Sequence, residues 1–73
     1  MSDPYENLAN AIILQAVKDY REARRKLKKR KKNEEAKLVA EGCESFFRSD
    51  WFKALTSIDG EMLLKKLQEE EIK

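Results

Sequence analysis

The chain has 73 residues, of which 41% are charged and 41% apolar, with two Gly, one Pro, no His and a formal net charge of +2. That length makes a single domain (1–73) near the lower limit for an unassisted core, and the composition excludes wholesale disorder while leaving little turn material for a β fold. With no His and only Cys43, the sequence excludes Cys–His or Ser–His catalysis, an internal disulfide and a clustered zinc site.

Ser2-Asp3-Pro4-Tyr5-Glu6 reads as a helix start, with Asp3 as cap, Pro4 at the first helical position and Glu6 closing a capping box. At 100° per residue, Tyr5, Ala9, Ile12, Ile13, Ala16, Val17, Tyr20, Ala23 and Leu27 share one broad face. Leu14 falls on the opposite side. Its bland reading is an ordinary exposed Leu, and its functional reading is a contact with a partner or a second copy. The stretch Ala9–Val17 is broken by Asn10 and Gln15, so nothing here predicts a membrane span. The acidic, polar N-terminus does not look like a signal peptide, which together with the lone Cys43 predicts a cytoplasmic protein.

The first helix continues into Arg24-Arg25-Lys26-Leu27-Lys28-Lys29-Arg30-Lys31-Lys32, where eight of nine residues are cationic. Residues 21–32 carry a local charge of +8, against −2 before them and −4 after them. Cations suit a helix C-terminus, but nothing apolar follows Leu27, so an exposed basic segment is predicted over 24–33 that projects into water or frays. Asn33-Glu34-Glu35-Ala36 then reads as a new cap and first turn. The rival is one unbroken helix from Pro4 to Phe47, dimerised along its length. Phase favours the hairpin. As one helix, the stripe of Ala36, Val39, Ala40, Cys43, Phe46 and Phe47 would lie roughly 160° from that of the first half, whereas a hairpin turns both toward one core. Gly42 sits inside this second helix, either as a close-approach point or on an outer face.

Phe46-Phe47-Arg48-Ser49-Asp50-Trp51-Phe52 holds four of the six aromatic residues. Large rings bury the most apolar surface, so the core is expected here, with a corner at Arg48-Ser49-Asp50 and Ser49 capping a short third helix. Trp51 is predicted to be buried against the first helix. Thr56-Ser57-Ile58-Asp59-Gly60-Glu61 forms a turn with two rival caps, Ser57 and Asp59. A last helix docks through Leu63, Leu64 and Leu67, and its acidic end, Glu69-Glu70-Glu71, is expected to fray against the helix dipole. The predicted fold is therefore all-α: a small helical bundle, in which a long helical hairpin is capped by two shorter helices.

Chemistry is sparse. Asp50, Asp59 and Glu61 could serve acid–base work, but acids at such cap positions are common for structural reasons, so no catalytic, cofactor-binding or metal-binding residue is assigned and no cofactor is expected. Arg24, Arg25, Lys26, Lys28, Lys29, Arg30, Lys31 and Lys32 are the candidate nucleic-acid contacts. They could neutralise several phosphates, and no aromatic is interleaved among them to stack on bases. Leu14, Leu38 and Met62, off the core faces, are the candidate protein contacts.

The strings Asn7-Leu8-Ala9-Asn10-Ala11-Ile12-Ile13, Phe46-Phe47-Arg48-Ser49-Asp50-Trp51-Phe52 and Leu55-Thr56-Ser57-Ile58-Asp59-Gly60-Glu61 resemble a group of short proteins, mostly of uncharacterised function. These are encoded by prophages and conjugative elements of Gram-positive bacteria. The similarity covers both ends of the chain and is weakest across Lys28 to Lys37. It implies a bacterial cytoplasm and an accessory role in a mobile element, and it carries over no functional residue. The expected function is non-catalytic protein–protein interaction with a host or phage protein, homodimerisation included. The alternative is sequence-nonspecific nucleic-acid binding through Arg24–Lys32.

Overall fold

Asn33 turns the chain back on itself. In a computed structural model, which describes residues 4–70 and their side chains from Leu8 onward, α1 spans Pro4–Lys29 and α2 spans Glu34–Arg48. The predicted Asp3 cap, the Glu6 capping contact and the coreward Tyr5 side chain lie outside the described residues. Between the two helices the chain makes a short hydrogen-bonded turn, with Arg30 N donating to Lys26 O at 2.9 Å and Asn33 N to Arg30 O at 3.1 Å. The Asn33 side chain accepts from Ala36 N at 3.0 Å, satisfying one of the amides that a helix start leaves without a partner. The single continuous helix is thereby excluded. The basic end of α1 stops at Lys29, is followed by a hydrogen-bonded turn, and is exposed to water at Lys28 and Lys29.

Ser49 ends one helix and starts the next. Its amide and its hydroxyl both donate to Phe46 O, at 3.1 and 2.6 Å, and its Oγ accepts from Phe52 N at 3.2 Å. The six-residue α3, Asp50–Leu55, follows. Thr56 closes α3, and its Oγ1 accepts from Ile58 N at 3.2 Å. Of the two rival caps for α4 (Gly60–Glu69), Asp59 is the one used, accepting from Glu61 N at 3.0 Å. Among the described residues all regular structure is helical, and the fold is a hairpin with two shorter helices packed on it.

One core joins all four helices. Ile13, Tyr20 and Ala23 come from α1, Ala36, Ala40 and Phe47 from α2, Phe52 from α3, and Leu64 and Leu67 from α4. Phe47 sits at its centre, with Phe52 at 5.5 Å and Tyr20 at 6.2 Å between ring centroids, both edge-on. Edge-to-face contacts of this kind add about 0.5–1.5 kcal/mol beyond area burial. The aromatic corner therefore does build the core, but with one exchange. Phe52 is fully buried, whereas Trp51, predicted to be buried, is 59% exposed. Val39, predicted to lie on the buried stripe of α2, is likewise exposed.

Tyr20 is the polar tie of the bundle. Its hydroxyl donates to Glu44 Oε2 at 2.8 Å and accepts from Gln68 Nε2 at 3.3 Å, which links α1 to α2 and α4. Burial, reinforced by Glu44, outweighs Gln68 and Arg24 and pushes the phenol above its ordinary value. A phenol raised in this way stabilises the fold fully below the unfolded value of about 10, and that contribution is lost as the pH rises through the folded value. Tyr20→Phe is expected to cost about 1–2 kcal/mol at neutral pH. In urea melts from pH 7 to 11.5, the gap between wild type and variant should narrow above about pH 10. A gap that stays constant would show that the hydroxyl contributes nothing titratable.

Near the end of α4 a salt bridge reaches back to α1; Glu71, the last residue of the acidic end expected to fray, lies outside the described residues. Arg21 donates through Nε and Nη2 to the two carboxylate oxygens of Glu70, at 2.9 and 2.8 Å. Both side chains are about half exposed, so the pair contributes on the order of 0–1 kcal/mol, but its fork geometry orients α4 on α1.

Candidate functional site

Two helices of a hairpin meet along two grooves. On one side the seam is filled by the α4 leucines, and on the other it stays open. The open side is a groove of about 510 Å³. The α1 wall carries Ala11, Ile12, Gln15 and Ala16, and the α2 wall carries Val39, Gly42, Cys43 and Phe46. Trp51 closes one end, its ring edge-on to Phe46 at 5.4 Å. The local reason is the cap at Ser49. It starts α3 at a corner where Phe52 enters the core, and the preceding residue, Trp51, is left at the groove mouth. Trp51 thus lines the groove together with Ala11 and Ile12 of α1, at the rim and not inside the core as predicted.

Gly42 belongs to this surface. A Cβ built there would meet nothing within 4 Å, so it is an open position on the groove wall and not a point of helix–helix contact within the fold. Cys43 lies beside it, half-buried. Burial first, then the carboxylates of Asp19 and Glu44, push its thiol up, which keeps it protonated and a poor nucleophile at neutral pH. Leu8, on the α1 face of Ala11, Ile12 and Gln15 by helical phase, is also exposed.

Towards the hairpin tip the groove changes character. A second depression of about 290 Å³ shares Asp19 and Val39 with the first, and its rim carries Glu22, Glu35 and Lys26. Gln15 Nε2 donates to Asp19 Oδ1 at 2.9 Å where the two meet. Apolar floor thus gives way to carboxylates, and these to the basic tip.

The tip gathers most of the sequence-predicted cations, but not all. Arg24 does not project: it is half-buried, its guanidinium carbon 5.6 Å from the Tyr20 ring centroid and Nη1 3.4 Å from the Tyr20 hydroxyl. The exposed cations begin at Arg25 and include Lys26, Lys28, Lys29, Arg30, Lys31 and Lys32. Asn33, the last position of the predicted exposed segment, is half-buried in its capping role.

Leu14, Leu38 and Met62 are exposed, but the structure does not bring them into the groove. Met62 lines a separate shallow depression with Arg48 and Lys65. Of the carboxylates considered for acid–base work, Asp59 and Glu61 line this same depression and Asp50 is not among its lining residues. Asp59 caps α4, Glu61 pairs with Arg48 Nε at 2.7 Å, and Asp50 is fully exposed beside Lys53. Among the described residues there is no group of three potential metal ligands, and no described helix is long and apolar enough to cross a membrane.

Sequence reasoning missed the groove residues Trp51, Val39, Ile12 and Ala16 as surface, because each lies on an apolar stripe. The available signal was stripe width. Nine apolar positions on α1 span more of the helix than one neighbouring helix can cover. In comparisons with known proteins, no family model, no curated protein and no solved structure matches this chain.

Proposed function

We propose that the protein acts without catalysis, by holding a partner protein in the open groove between α1 and α2. One observation carries this reading: the only Trp of a 73-residue chain stands 59% exposed at the mouth of an apolar groove. Trp is costly to leave in water and is enriched among the residues that dominate binding energy. In the setting implied by the sequence resemblance, the partner is a host or element protein in the cytoplasm of a Gram-positive bacterium, and the role is accessory. The test is capture from such a lysate on immobilised protein. Retention should survive nuclease and moderate salt and be lost with Trp51→Arg, which changes an exposed position. Captured proteins indifferent to Trp51→Arg would remove the groove from consideration.

The second reading is nucleic-acid binding, favoured by the crowding of exposed cations at the hairpin tip. Phosphate contacts of this kind position a protein without reading bases, so discrimination between sequences would be weak. Reversing Lys29, Lys31 and Lys32 to Glu leaves the core untouched and is expected to flatten the salt dependence of duplex binding by up to about three units. The measurement is a titration of fluorescent duplex from low to physiological salt. Equal binding by wild type and variant, or no binding by either at low salt, would leave the tip as a solvated helix end.

A further inference from the structure

We infer that the groove takes one amphipathic helix, lying parallel to α1, with an apolar stripe over its first turns and Lys or Arg in its last. The inference rests on the groove being the binding site proposed above and deepens it by stating the partner's chemistry and direction. Length comes first. The groove and the depression that continues it run from Ala11 to Lys26 of α1, about 22 Å at 1.5 Å per residue, which matches a helix of about 15 residues.

Shape comes second. The walls near Trp51 are low, because Ala11, Ala16 and Gly42 stand where larger side chains would fill the seam, and a Cβ on Gly42 would meet only open space. Small residues let a helix approach closely, and an apolar stripe read at i, i+3, i+4 and i+7 then meets Ile12, Phe46 and Trp51.

Charge sets the direction. Beyond the apolar floor the occupant meets Asp19, Glu22 and Glu35, three carboxylates against the one cation Lys26 of that rim. Cations on the occupant belong there and nowhere else along the groove. Cations are favoured in the last turn of a helix, where the dipole is negative, so the turn that carries them to these carboxylates is the C-terminal one. The C-terminal turn of the occupant lies at the carboxylates, and its N-terminal turns lie at Trp51. A second copy of this chain fits less well. Two copies overlapped along the whole groove would set the apolar half of each against the carboxylates of the other.

The probe is a displayed library of helices of about 15 residues, with the apolar stripe fixed and every polar position randomised, selected on the full folded chain. Anisotropy of the strongest peptide, dye-labelled, then reads affinity. Lys and Arg are expected to be enriched in the last turn of the selected helices. Glu22→Lys with Glu35→Lys, both exposed positions, should weaken binding at least about tenfold at low salt, and Trp51→Ala should abolish it. Selected helices that need Trp51 but show no cation preference, or carry cations in the first turn, overturn this inference and leave the groove as the binding site. Helices indifferent to Trp51→Ala, or no enrichment at all, overturn both. Sedimentation equilibrium provides the remaining check: a micromolar dimer that Trp51→Ala turns into monomer would assign the groove to a second copy and overturn the inference.

Discussion

Phe52→Ala is expected to unfold the domain, while Trp51→Ala, one residue away, leaves it folded. Phe52 has no exposed surface and meets Phe46 and Phe47 at 5.6 and 5.5 Å. Truncating a buried Phe costs about 3–5 kcal/mol, because lost transfer energy and an unfilled cavity add. A chain of this size has only about 4–11 kcal/mol of total stability. Trp51 is more than half exposed, and its one ring contact among the described residues is the near-perpendicular one with Phe46. Its truncation should cost about 1 kcal/mol, the scale of one aromatic pair. Thermal melts followed by far-ultraviolet circular dichroism, which do not depend on the Trp signal, separate the two. Equal losses would mean that Trp51 shares the core after all. In wild type, Trp51 should emit close to the wavelength of a solvated indole.

The same substitution at the two glycines is expected to act with opposite sign. A Cβ on Gly60 would land on the carbonyl of Phe47, with Phe52 Cδ2 at 3.4 Å on its other side. The obstacle is backbone and cannot rotate away, so α4 would have to move off the end of α2. Overpacking against fixed atoms costs typically about 1–3 kcal/mol and sometimes more, and here it also disturbs the Arg48–Glu61 contact that joins the same two helix ends. Gly60→Ala should therefore lower the urea midpoint sharply. Gly42→Ala meets open space inside a helix and should raise stability by up to about 1 kcal/mol, since Ala has the higher helix propensity. It should also narrow the groove, so greater stability with weaker partner binding is the expected combination. A Gly60→Ala protein as stable as wild type would show that α4 can retreat without loss.

What the amino-acid sequence determined by itself was everything set within one or two turns of chain. Asn33 and Ser49 act as caps because an Asn or Ser oxygen three residues ahead of a free amide satisfies it wherever the helix packs, whereas for α4 the sequence left Ser57 and Asp59 as rivals and the structure uses Asp59. The hairpin was legible for a similar reason. Helical phase is counted residue by residue, and the stripes of α1 and α2 agree only if the chain turns between them. The all-α fold, the buried Tyr20 and Phe47, and the docking leucines of α4 follow from those two local rules.

The tertiary structure decided what falls on one side of a stripe or the other. Trp51 and Phe52 are adjacent on a helix of six residues, too short for period to show which of them faces inward. The landing of α3 and α4 on one seam of the hairpin made that choice, and it left Val39, Gly42 and Trp51 on the other. Arg21 and Glu70 are 49 residues apart, so nothing local could pair them, and the same holds for Glu44 and Gln68, which reach the Tyr20 hydroxyl from α2 and α4. Burial depends on which distant surface arrives, whereas capping and phase depend on neighbours in the chain. For this protein the fold is local information, and the groove is what packing leaves uncovered.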